Sequence, residues 1–291
     1  MSVPVPRVVA PVVRFHRRSL LSRMPLRSRI AGLAILLVAL LSLATPLLPI
    51  ADPLASDLTT RLQPIGTPGH VLGTDGLGRD MLSRLLHGTG MSLFIGVAPV
   101  AIATVLGLAV GVVAGTARRS VNTLLMRAVD VLAAFPGVLL SILIAISLGQ
   151  GVMTLLIALS VVWIAPLARI AETAVVRVRE LDYVQVARSS GATTVAVLFR
   201  QILPVSLPAV IAYATSLVGA NVAITGGLGF IGLGVPSPTP ELGAMLQELQ
   251  VAIYTEPTLA LLPVAVIVGL SMLFPMLGDG LRQALAGKEE R

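Results

Sequence analysis

Five stretches of this chain, at 30–50, 91–115, 131–168, 209–230 and 257–278, contain no Asp, Glu, Lys or Arg. A hydrocarbon layer about 30 Å thick takes about 20 helical residues. Each stretch is therefore long enough to cross a membrane. The first holds eight Leu, three Ile and one Val; at ~0.3–0.6 kcal/mol each near a helix centre, these favour insertion by several kcal/mol. The third is too long for one crossing, and Gly149-Gln150-Gly151 divides it into two helices joined by a tight turn. The count is six spans, an all-α membrane protein. Only 12% of the residues are charged, where a soluble domain carries about 25%. There is no cysteine, which excludes a disulfide framework and any Cys-ligated metal centre.

Orientation follows from where the basic residues fall. With the N-terminus inside, the inner segments hold 18 of the 21 Arg and Lys, seven of them in residues 1–29. The outer segments hold only Arg61, Arg79 and Arg84. This is the positive-inside pattern, and it places both termini in the cytoplasm. It also accounts for the net charge of +7 without nucleic acid, since no basic cluster interleaved with aromatics is present. The N-terminal basic region and apolar stretch are too long for a cleaved signal, so the first span is read as an uncleaved anchor.

Two polar segments are long enough to carry function: an outer one at 51–90 and an inner one at 169–207. The shorter outer segment at 234–256 holds Glu241, Glu248 and Glu256 and no basic residue. In the inner segment, 181–188 reads as a short helix with Leu181, Val184, Ala187 and Arg188 on one face, and Asp182, Gln185 and Ser189 on another. Ser189-Ser190-Gly191 breaks it, with Gly191 suited to a left-handed turn. A second helix follows with an apolar stripe of Val195, Leu198, Phe199, Ile202 and Leu203, which Pro204 ends or kinks. The unit is open to three readings: a DNA-binding helix pair, an amphipathic hairpin on the membrane, or a docking knob for a cytoplasmic partner. The first lacks a third helix and a basic surface.

The pattern Tyr183-Val184-x-x-Ala187-Arg188-x-x-Gly191, followed by Ile202-Leu203-Pro204, resembles the EAA loop of ABC-importer permeases. In that family the loop is the coupling helix, which inserts into a cleft on the ATP-binding subunit. The match has departures: Gln185 stands where the signature has Glu, Val186 where it has Ala, Gln201 where it has His and Val205 where it has Asn. The outer segment carries a second match. His70-x-x-Gly73-Thr74-Asp75-x-x-Gly78-Arg79-Asp80-x-x-Ser83-Arg84 is similar to the motif before the second span in the C-type subunits of dipeptide, oligopeptide and nickel permeases. Arg127 with Asp130, Phe135-Pro136, Gly229-Phe230-Ile231-Gly232 and Gly278-Asp279-Gly280 extend the resemblance over about residues 30–285.

The resemblance implies a type I ABC-importer permease fold and a division of the chain. Residues 1–29 are a cytoplasmic basic segment, 30–50 the first span and 51–90 an extracytoplasmic loop. Residues 91–280 are a five-helix core with the coupling loop at 169–207, and 281–291 a cytoplasmic tail. It implies half of a peptide translocation pathway working by alternating access. The partners would be a homologous second permease, two ATP-binding subunits or domains, an extracytoplasmic substrate-binding protein and membrane lipid. The chain would be no enzyme and bind no cofactor. It has no G-x-x-x-x-G-K-[ST], so ATP and Mg²⁺ belong to the partner ATPases. Nickel or another small solute as cargo, a stand-alone channel or carrier, and a membrane scaffold are the competing readings.

Four further patterns have bland explanations. Gly227-x-Gly229-x-x-Gly232 fits a dinucleotide fingerprint, but it closes a span, so its glycines are expected to let backbones approach. Gly107, Gly111 and Gly115 predict close helix packing, within the chain or across a permease pair. Asp130 and Arg127 are expected to form an i, i+3 pair rather than part of a proton relay. Asp75, Asp80 and His70 are too few and too spread for a metal, and predict a loop braced by its own charges.

Overall fold

A computed structural model of the protein describes residues 24–286. Most of the basic N-terminal segment and half of the tail therefore lie outside the described residues. The described chain is helical through most of its apolar runs. Helix α1 (Leu26–Ala44) starts after Pro25. Helix α2 (Met81–Thr116) starts on Asp80, whose carboxylate accepts the Ser83 N–H at 2.8 Å. It begins ten residues before the uncharged run does, because Arg84 and His87 are helical too. Next come α3 (Arg119–Ala133) and α4 (Gly137–Leu148), then α5 (Val152–Arg179). Two short helices follow, α6 (Asp182–Ser189) and α7 (Thr194–Val197). A π-turn (Leu198–Ile202) leads into α8 (Leu203–Phe230). The chain closes with α9 (Leu242–Glu248) and α10 (Pro257–Ala286).

Among the described residues five helices are long and apolar enough to cross a membrane singly, and the bent pair α3–α4 makes a sixth crossing if it counts as one. That bend corrects the expected straight third span. The two helices meet at 78° across 134–136. Pro136 has no N–H to give to the carbonyl four residues back, and its ring clashes there, so the helix breaks. The expected turn at Gly149 is present, with φ +84 that a side chain would resist.

Met24, α6, α7 and the last turns of α10 lie at one end of the bundle, called the near end; residues 45–80 and 231–256 lie at the far end. The core joins α2, α5, α8 and α10 through Leu93, Val100, Leu167, Ala171, Val222 and Phe274. The glycine ladder packs inside the chain. A Cβ at Gly107, Gly111 or Gly115 would fall 2.8, 2.5 and 2.7 Å from Leu167, Ala171 and Val175 of α5. Backbones this close are how helices associate where lipid offers no hydrophobic drive. At the far end Gly229 meets Gly234 and Gly243 in the same manner, but the other two fingerprint glycines do not: Gly227 is exposed with open space around it, and Gly232 takes φ +81 beside the Gln247 side chain.

Candidate functional site

The far-end motif folds into a buried charge network. The Asp75 carboxylate accepts the backbone N–H of Leu77 (2.8 Å) and Arg79 (3.0 Å), and pairs with Arg79 Nε at 2.6 Å. Arg79 and Arg84 each donate through Nη2 to Glu248 Oε2 at 2.6 Å. Arg84 Nε lies 3.3 Å from Asp75 Oδ2, close enough to pair but not aligned as a hydrogen bond. Arg79 and Arg84 are 2% and 1% exposed, so two of the three far-end arginines carry their neutralising charge with them. Asp80 caps α2 and lies 3.0 Å from His70 Nδ1. Ser83 Oγ donates to Ala51 O (2.6 Å), and Thr74 Oγ1 donates to Thr60 O while accepting the Gln63 N–H. Gly73 and Gly78 stand where the loop backbone passes closest to Gln63 and Asp57. Both acids of the motif are thus engaged by arginine, histidine and backbone, as a brace requires.

Glu248 comes from α9, beyond the loop itself, and sequence reasoning did not join it to the arginines. The only available signal was a surplus of acids in 234–256 facing a surplus of arginines in 79–84. Glu241 was missed as well. It caps α9, accepting Gly243 N–H (3.0 Å) and Ala244 N–H (2.9 Å), and takes the Ser92 hydroxyl at 2.8 Å. Burial pushes its carboxyl above the usual glutamate range, against those three donors.

The near-end hairpin has a seated side and an open side. Val184 is fully buried with Val175, Val178, Val197 and Ile202, and Ala187 packs beside it. Leu181 and Arg188 do not share that seat. Leu181 is the residue preceding the helix and is 42% exposed, and Arg188 is exposed in its last turn. Tyr183 and Val186 (64% exposed) look outward, and Asp182, Gln185, Val186, Ser189 and Ser190 line a shallow hollow on that side. Gln185 Nε2 donates to Glu180 O at 3.1 Å. Gly191 takes φ +86 with open space around it, so backbone conformation and not crowding selects glycine there.

The expected stripe of the second helix is turned. Val197 and Ile202 are buried, whereas Val195 and Phe199 are 65% and 61% exposed. The π-turn inserts a residue into the helical repeat and rotates the face. Pro204 neither ends the helix nor bends it away; the wider turn precedes it and α8 continues. Asp130 also differs from expectation: it pairs with Arg169 of α5 rather than with Arg127.

Long apolar helices, a short helix projecting between two of them and a buried polar cap at the other end are the features of a multi-span membrane protein. Residues 107–288 match the family described as binding-protein-dependent transport system inner membrane component. The chain is 34% identical over 268 residues to the dipeptide transport system permease protein DppC of Haemophilus influenzae, covering 90% of this chain and 91% of that one. It is 36% identical over 228 residues to the glutathione transport system permease protein GsiD of Pectobacterium atrosepticum, 78% of this chain and 76% of that one. Its fold is similar to the inward-facing MetNI methionine ABC transporter at TM-score 0.59 and 21% identity, over 70% of this chain and 97% of that chain. The protein belongs to the binding-protein-dependent transport system inner membrane component family, the membrane-spanning subunits of ABC importers.

Proposed function

We propose that the chain forms half of the translocation pathway of an ATP-driven importer for dipeptides or short oligopeptides, alternating between outward- and inward-open states. The peptide cargo follows from the relatives named for dipeptide and glutathione transport. The observation that carries the coupling is α6 itself. Its seat, Val184, holds it to α5, while Tyr183, Val186 and the hollow beside Gln185 are presented outward. A rigid helix held so can pass a push from a partner into α5 and α8. In this reading ATP and Mg²⁺ sit on two partner ATPase subunits, and the chain has no catalytic group or cofactor of its own. A second permease completes the pore, a binding protein delivers cargo at the far end, and both termini are cytoplasmic.

Tagged wild-type chain, extracted in mild detergent, is expected to bring down ATPase subunits and a second permease. Val186→Glu is expected to lose the ATPases and keep the permease, because a charge replaces an exposed apolar contact without touching the Val184 seat. Recovery of the wild-type chain alone would favour the stand-alone carrier. Orientation has its own test. With no native cysteine, Leu58→Cys, 66% exposed at the far end, should react with an impermeant maleimide from outside intact cells, and Gln185→Cys should not. The opposite labelling pattern would invert the topology. Asp75 is unsuitable as the outer probe because it is 1% exposed within the charge network.

A further inference from the structure

Helix α2 runs unbroken through Pro99. Proline has no N–H, so the carbonyl of Ile95, four residues earlier, loses its helical donor. In the apolar middle of a membrane bundle such a carbonyl must find another partner. It finds one on a different helix. Asn221 of α8 is fully buried, and its Nδ2 donates to Ile95 O at 3.0 Å and Gly96 O at 2.9 Å. Its Oδ1 accepts the indole N–H of Trp163, on α5, at 2.8 Å. An indole only donates and a carbonyl only accepts, so the amide can sit only one way round. Ser160 of α5 adds a bond to Pro99 O at 3.3 Å. Three helices thus meet on one amide beside one proline.

Those helices lead to both ends of the molecule. Helix α2 begins in the charge network, with Asp80 as its cap and Arg84 in its first turn. Helix α5 carries Val175 and Val178, the seat of α6, and α8 continues from the hairpin through the π-turn. Close approach around the amide leaves little slack: a Cβ on Gly96 would stand 2.6 Å from Val222 Cγ2.

We propose that Asn221 is a positioning residue for transport, standing in for the N–H that Pro99 lacks, so that α2 keeps a satisfied flexing point at Pro99 pinned to α5 and α8. The pin lets the two halves of α2 tilt against each other without leaving the buried Ile95 carbonyl bare. Its role in transport rests on the importer reading; the hydrogen-bond substitution does not.

The test is a cycle of Asn221→Leu, Pro99→Ala and the double variant, made in the complete transporter and reconstituted in liposomes. Asn221→Leu strands Ile95 O and the Trp163 N–H, and is expected to lower the thermal midpoint of the complex. Pro99→Ala restores a backbone donor to Ile95 O. It is expected to return at least half of that lost midpoint in the double variant, and to cost no stability alone. Pro99→Ala alone is expected to slow peptide uptake about tenfold, as loss of a hinge does, while the complex stays assembled. Failure of Pro99→Ala to rescue Asn221→Leu would overturn the substitution, since a side chain that merely fills space gains nothing from a restored N–H. Uptake by Pro99→Ala at the wild-type rate would overturn the hinge. The stability cycle uses no substrate, so it decides the pin even where the importer reading fails.

Discussion

Glu248→Ala is expected to release the far-end loop. In the wild type one carboxylate oxygen takes an N–H from both Arg79 and Arg84, each nearly inaccessible to water. Without it two guanidinium groups share Asp75 alone. Removing one partner from a buried pair costs about 3–5 kcal/mol, because the charge left behind has lost both its water and its counterion. The cost is expected to fall locally, since the loop can open without unpacking the spans. Limited trypsin digestion reads it. Arg61 is exposed and cut in either protein, whereas Arg79 is protected in the wild type and becomes a cleavage site in Glu248→Ala. The double variant Glu248→Ala, Arg84→Met leaves one arginine for one aspartate and is expected to recover much of the protection. A wild-type digestion pattern in Glu248→Ala would mean that the network braces nothing. The same network explains how two arginines can sit buried at the far end: each is paired, so neither is a free charge.

What could be read before folding follows the range of the forces involved. Hydrophobic length is a local property, so each apolar run became helix over most of its length. Gly107, Gly111 and Gly115 recur every four residues, which is a face, and the face meets α5. Left-handed Gly149 and Gly191 were visible because short Gly-containing turns announce themselves. The break at Pro136 lies within an unbroken apolar run, where composition offers no boundary. Phe199 and Val195 were assigned to the packed face by a spacing that holds only for an α-helix, and the π-turn at Leu198–Ile202 changes the phase. Glu248 pairs across 164 residues with Arg84, and Asn221 bonds to backbone carbonyls 125 and 126 residues away. No periodicity encodes such contacts; only the meeting of three helices creates them. Of the two site motifs, the loop pattern from His70 to Arg84 contained its own cap and the contacts of Asp75 with Arg79 and Arg84, but the second counterion, Glu248, lay in another segment. The hairpin contained its seat, Val184, but not which of its faces stayed open.

Gly111→Ala is expected to be the most damaging methyl addition along the Gly107–Gly111–Gly115 ladder. The added carbon would stand 2.5 Å from Ala171 Cβ and 2.6 Å from Ala168 O. Ordinary carbon contacts lie at about 3.5–4.0 Å, so the helices must part by about 1 Å. One obstacle is backbone, which no rotamer change can clear. Overpacking of this kind typically costs about 1–3 kcal/mol and more where nothing can yield, and the upper end applies here. The neighbouring steps of the ladder spread the damage: parting α2 from α5 at Gly111 also pulls Val175 from Gly115, and Val175 belongs to the seat of α6. The expected result is a lower thermal midpoint and, in whatever complex still assembles, ATP hydrolysis no longer answering to transport substrate. Gly227→Ala is the control. That glycine is helical, exposed and has nothing within 4 Å of its would-be Cβ, so alanine there should be neutral or stabilise by about 0.5–1 kcal/mol. Equal midpoints for the two variants would show that α2 and α5 do not approach as closely as the glycine ladder requires. A loss confined to Gly111→Ala would tie the packing of two spans to the hold on the hairpin.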